Sequence, residues 1–245
     1  GMNGLARTAA IAQRVLRTIR GDRRTVALMF LVPSILVGLF SWMFNNATMF
    51  NHVGGRLIGL FPFVVMFLAA SITTLKERRS GTLERFLTTK MRRGEFIIGY
   101  ALAFTVMALV QTAITLSFAI YVCGFDPKDN AWYLYLAAVV NALCGMSLGL
   151  LASAFAQTEF QVIQFMPAFI FPQIILGGLF VPVEQMPDSL HTLSDWLPLT
   201  HSLRAILMIT DGNPVADVLH QVLIVAVVCL VCLAVGSLTL RKKTA

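Results

Sequence analysis

Six stretches of this chain, 25–44, 57–75, 96–125, 131–158, 160–183 and 218–240, contain no Asp, Glu, Lys or Arg. Each is about 20 residues or longer, enough for a helix to cross a hydrocarbon core of roughly 30 Å. A soluble protein of 245 residues could bury one or two such runs in a core, but not six. The composition agrees: 57% of residues are apolar and 13% charged, about half the charged share of a soluble domain. The expected class is an all-α polytopic membrane protein with six transmembrane helices.

Lys and Arg set the expected orientation, because they concentrate on cytoplasmic connections. Arg7, Arg14, Arg17, Arg20, Arg23 and Arg24 precede the first run, seven more fall within 76–95, and Arg241, Lys242 and Lys243 follow the last run. The connections on the other side carry only Arg56, Lys128 and Arg204, and they hold Asp126, Asp129, Glu184, Asp188, Asp195, Asp211 and Asp217. Both termini are therefore expected in the cytoplasm. The net charge of +7 reads as a topology signal and not as a nucleic-acid patch.

Residues 1–24 are expected to form an amphipathic segment ahead of a six-span domain over 25–245. Leu5, Ala9, Ala12, Leu16 and Ile19 make one helical stripe, with Arg7, Arg14 and Thr18 facing away. That pattern suits a helix along the inner membrane surface, its basic face toward headgroups; a solvated, unfolded tail is the competing reading. No small-residue cleavage pattern follows the first apolar run, so it should remain as an anchor. Gly1 ahead of Met2 reads as an added residue.

The basic 76–95 loop contains a second stripe, Leu83, Phe86, Leu87 and Met91, at the spacing of a short helix. Such a helix between two spans is placed to press on a partner. No catalytic constellation accompanies it. His52, His191, His201 and His220 are scattered at the outer ends of spans, and Cys229 and Cys232 match C-x-x-C spacing without a redox or metal context. No metal site is expected. The polar content of the six runs is amide and hydroxyl, including Gln111, Asn141, Gln161, Gln164 and Gln173, which argues against an ion-coupled carrier. The chain also has no G-x-x-x-x-G-K-[ST] phosphate loop, so energy from ATP would have to come through a separate ATPase.

Glu77-Arg-Arg-Ser-Gly81-Thr-Leu-Glu84, then Arg92-Arg-Gly-Glu95 and Gly99, resembles the loop after the second span of type-2 ABC exporter permeases, in particular the daunorubicin-resistance subgroup. Gly177-Gly-Leu-Phe-Val-Pro-Val-Glu-Gln-Met-Pro187 and Leu197-Pro-Leu-Thr-His-Ser-Leu-Arg204 resemble that family's stretch between spans five and six. Lys90 and Tyr100 stand where the family often has Pro and Lys, and the Lys90 change removes a helix stop, which leaves the end of the short helix open.

The resemblance implies a coupling helix over Thr82–Met91 that docks on an ABC ATPase. Glu77, Ser80, Gly81, Thr82, Leu83, Glu84, Arg85, Phe86 and Leu87 would form the docking set; a helix that only lies on lipid is the alternative. It also implies a re-entrant or interfacial element between spans five and six, with Gly177, Gly178, Pro182, Pro187 and Pro198 in an outer gate and Trp196 as an interface anchor; the competing reading is an ordinary loop. Phe63, Met66, Phe67, Phe165, Phe169 and Gln173 would suit an apolar substrate pathway, although such residues also pack against helices or lipid. Implied partners are an ABC ATPase, a second permease copy (identical or a sister chain), membrane lipid and a hydrophobic substrate, with no nucleic acid. No cofactor is expected in this chain, since ATP and Mg would belong to the ATPase. The function implied is export of hydrophobic drugs or lipids across a bacterial cytoplasmic membrane. Export of a polysaccharide or lipid-linked glycan, or a non-transporting scaffold, are the alternatives.

Overall fold

A computed structural model describes residues 3–79, 93–128, 130–178 and 181–243. Among these residues the regular structure is helical, and six helices are long and apolar enough to cross a membrane: Arg23–Phe44, Val53–Glu77, Gly94–Tyr121, Ala131–Phe155, Glu159–Leu176 and Val215–Leu238. The chain is an all-α polytopic membrane protein. The expected spans recur with shifted ends: those starting at Val53 and Val215 begin ahead of their apolar runs, whereas those ending at Tyr121, Phe155 and Leu176 stop short of theirs.

Ahead of the spans, α1 (Gly4–Gly21) starts at Asn3, whose side chain accepts from the Leu5 N–H at 2.8 Å. Asp22 ends α1 and caps α2 (Arg23–Phe30) through its contacts to the Thr25 N–H and hydroxyl. Span one breaks at Leu31 before resuming as α3 (Val32–Phe44). The break has a local cause. Pro33 has no N–H to give the Met29 carbonyl, and the Gln111 side-chain amide donates to that carbonyl at 2.8 Å instead.

Spans two, three and four are α4 (Ala47–Arg79), α5 (Arg93–Tyr121) and α6 (Ala131–Phe155). The most extensive packing joins α4 and α6. Ala137, Asn141, Gly145, Gly149 and Ser153 recur every fourth residue and all are buried, forming a small-residue seam. The pairings Asn141 to the Gly59 carbonyl, Gly145 to Phe63 and Gly149 to Phe67 advance together, so the two helices run parallel. A Cβ added at Gly149 would lie 2.5 Å from the Phe67 carbonyl oxygen, and one at Gly145 would strike the Phe63 carbonyl. The seam closes only because those positions are glycine.

Span five is broken. It runs as α7 (Glu159–Phe169) and α8 (Phe171–Leu176), with Pro167 inside the first and Pro172 starting the second. A 3-10 turn (Val183–Gln185), α9 (Asp188–Asp195) and α10 (Pro198–Thr210) follow, and α11 (Val215–Lys243) is span six. The element between spans five and six is therefore more than an interfacial loop. Nine residues of α10 are buried, and it packs against α4, α6 and α11.

Two expectations need correction. The buried face of α1 is Thr8, Ile11, Val15 and Ile19, while Leu5 and Ala9 are exposed. Arg7 and Arg14 accordingly face protein carboxylates and not lipid headgroups. Arg56 also lies within α4 and within span two, not on a connection before it.

Candidate functional site

The expected docking residues Ser80, Gly81, Thr82, Leu83, Glu84, Arg85, Phe86 and Leu87 lie outside the described residues. Glu77 lies inside them, on the last turns of α4, and Glu95 stands on the first turn of α5. These two carboxylates flank the 80–92 loop, and α1 binds both. The Arg7 guanidinium holds Glu95 with two parallel bonds, Nε to Oε2 and Nη2 to Oε1, each 2.9 Å. Arg14 Nη2 donates to Glu77 Oε2 at 3.2 Å. The hydrogen bonds that Arg7 donates to Glu95 raise the Arg7 pKa above its ordinary value.

Packing reinforces the ion pairs. Ile11 sits against Gly99, where an added Cβ would be 2.7 Å from it, so Gly99 lets α1 lie directly on α5. Tyr100, at a position where the family often has Lys, is buried against Phe96 and Phe104, with Glu77 and Arg14 as charged neighbours. Thus α1 and the two helical stems of the loop form one braced unit. At the α1–α2 corner, the bond from the Thr25 hydroxyl holds the Asp22 carboxyl below its ordinary 3.8, with the nearby Lys76 contributing.

The opposite end is organised by Gln173. This residue was expected on a substrate pathway, but it is buried and joins two helices. Its amide donates to the Phe169 carbonyl at 2.8 Å, and its Oε1 accepts from the Leu199 N–H at 3.2 Å. The second bond caps α10, whose own N-cap residue, Leu197, has no side chain able to do so. The Ser194 hydroxyl reaches the Leu176 carbonyl at 2.6 Å and the Thr200 hydroxyl at 3.1 Å. His201 completes the clip, its Nε2 2.7 Å from the Asp195 carbonyl and its Nδ1 2.6 Å from Gln221 Oε1 on α11.

The expected gate residues fall around this clip. Gly177 ends α8 and Gly178 takes a left-handed φ of 90°. Pro182 precedes the 3-10 turn, Pro187 precedes α9, and Pro198 is the buried first residue of α10. Trp196 is 80% exposed.

Among the expected pathway residues, Phe63, Met66 and Phe67 are wholly buried within this chain's own core and offer no surface to a ligand. The reason is the glycine seam, which draws α6 onto that face of α4. Phe165 is half-buried and Phe169 exposed, the two rings packed edge-on at 5.8 Å. The side chain of Met166 lies outside the described residues. What the sequence reading missed is Arg56, a cation on a half-buried face of a membrane helix; its signal was its position immediately before an uncharged run.

A six-span helical membrane protein with two helix ends braced by α1 on one side and a clipped, buried helix on the other is the class that this fold defines. The chain belongs to the ABC-2 type transporter family, whose profile matches residues 7–210. It is 27% identical to ABC transporter G family member 20 of Dictyostelium discoideum over 71% of this chain and 23% of that protein. It is 28% identical to the probable multidrug ABC transporter permease YbhR of Escherichia coli K12 over 66% of this chain and 44% of that protein. The chain thus spans less than half the length of these two relatives. Nodulation protein J of Neorhizobium galegae is 26% identical over 88% of this chain and 89% of its own length.

Proposed function

We propose that this chain is the permease subunit of an ATP-driven exporter of hydrophobic drugs or lipids, powered by a separate ABC ATPase that docks on the 80–92 loop. The observation that carries this reading is the pairing of α1 with Glu77 and Glu95 on either side of that loop. A push on the loop would reach α4, α5 and α1 as one body, and α4 is seamed to α6. The basic end, with most of the Lys and Arg, faces the cytoplasm of a bacterial cell in this reading. ATP and Mg are held by the ATPase, and two permease copies enclose the pathway. The family membership and the name of the multidrug relative support a hydrophobic cargo. Phe165 and Phe169 on the sparsely covered α7 are the pathway candidates that remain open to a ligand or a second copy.

The test is co-purification with candidate ATPases in mild detergent, followed by ATP turnover against lipids, hydrophobic drugs and a lipid-linked glycan. Drugs or lipids should stimulate turnover, and Phe86→Asp should abolish the stimulation while leaving membrane insertion intact. Full transport by an inserted Phe86→Asp protein would remove the docking role. Stimulation by the glycan alone would replace the cargo.

A further inference from the structure

At the end opposite the basic loop, a cavity of about 320 Å³ opens between the start of α4, the turn after α8, and α10. Its polar lining includes Arg56, Arg204, Glu184, Asp211, Thr200 and Asn213. Arg204 already has a partner, since its Nη2 lies 3.1 Å from Asp195 Oδ1. Arg56 makes no ion pair among the described residues, and its Nε is buried without a hydrogen-bond partner. A cation on a membrane helix is costly unless something binds it, and the half-buried Arg56 lines the cavity, where a ligand can reach it.

Position and charge define the ligand. Arg56 is 21 residues before Glu77 on one continuous helix, roughly 31 Å at 1.5 Å per residue. With Glu77 at one membrane face, Arg56 stands at the other, at headgroup level. The volume is at the small end for ligand sites, enough for a headgroup but not for a whole amphiphile. An anion alone would meet Arg56 but also face Glu184 and Asp211, whose carboxylates are exposed and form no ion pair among the described residues. A cation alone would leave Arg56 unsatisfied. We infer that this cavity binds a zwitterionic headgroup, a phosphate on Arg56 and an ammonium toward Glu184 and Asp211, presented by a membrane lipid. The site does not depend on which cargo the protein exports or on which ATPase drives it.

The experiment is native mass spectrometry of the purified full chain titrated with phosphatidylethanolamine and with phosphatidylglycerol, which keeps the phosphate and lacks the ammonium. Wild type should prefer phosphatidylethanolamine by about fivefold or more, and Arg56→Gln should weaken its binding about tenfold, the loss of one charged partner. Arg56→Lys, which keeps the charge without the planar fork, should fall between. The Glu184→Gln, Asp211→Asn double variant, altered only at exposed positions, should bind both lipids equally. Millimolar phosphoethanolamine distinguishes the sources: displacement of the lipid points to a free headgroup as a competent ligand, and retention points to the lipid. Unchanged phosphatidylethanolamine binding by an Arg56→Gln protein that melts like wild type would overturn the site. Equal binding of both lipids by wild type would overturn its zwitterionic character.

Discussion

Along the α4–α6 seam the helix backbones touch at Gly145 and Gly149, whereas span five is joined to its neighbours through side chains, its own Gln173 and Ser194 of α9. In the seam, small residues remove the space that any movement would need. At span five, Pro167 and Pro172 interrupt the backbone ladder, and only a minor share of the helix is buried. A few side-chain hydrogen bonds, each able to break singly, tie it to α9 and α10. The comparison separates a rigid half from one that can be released. The braced basic end connects directly to the rigid half through α4, and the cavity at the opposite end is bounded by α10, the element that the clip holds.

The largest effect should come from the seam. Gly145→Leu places side-chain atoms where the Phe63 carbonyl stands, and about 3 kcal/mol or more should be lost, read as a collapse of the melting transition in detergent. A Gly145→Leu protein that melts like wild type would mean the seam is not the rigid half. Next, Gln173→Ala leaves the buried Leu199 N–H without an acceptor. It should cost about 1–3 kcal/mol and raise hydrogen exchange at the start of α10 while the seam stays protected. Exchange rising equally in both regions would erase the distinction between them.

Asp22→Ala removes the α2 cap and should cost about 1 kcal/mol. Because the folded-state pKa of Asp22 is lowered, its contribution is present above 3.8 and is lost as pH falls through the lower folded value. The wild-type advantage over Asp22→Ala should therefore disappear only in that acidic window. The smallest effect belongs to Glu95→Gln. Its partner Arg7 is partly exposed, so a modest drop in melting temperature at low salt should vanish near about 1 M salt, where charges are screened within about 3 Å.

The spans were legible because an uncharged run of membrane length has few other fates. Gln111 and Asn141 were visible as polar residues in apolar runs, yet their tasks were not: one satisfies a carbonyl orphaned by Pro33, and the other bonds the Gly59 carbonyl on α4. The position of α1 was readable from its periodicity, but its face was read with a rotation of roughly 75° at 100° per residue. Leu5 counted as apolar in the sequence, but it is exposed among the described residues, while Arg7 and Arg14 turn the helix toward Glu95 and Glu77. Those partners are 88 and 63 positions away, beyond any local pattern.

By itself, the sequence determined the membrane class, the six spans and the concentration of basic charge at one end, since hydropathy and charge act through solvent and need no partner. The tertiary structure alone decided that Phe63 and Phe67 are core, that Gln173 is a clip, that α10 is buried, and that Arg56 lines a cavity with no ion pair among the described residues. Each of those outcomes depends on which distant backbone or side chain arrives at the other side of a contact, and only the packed helices supply it.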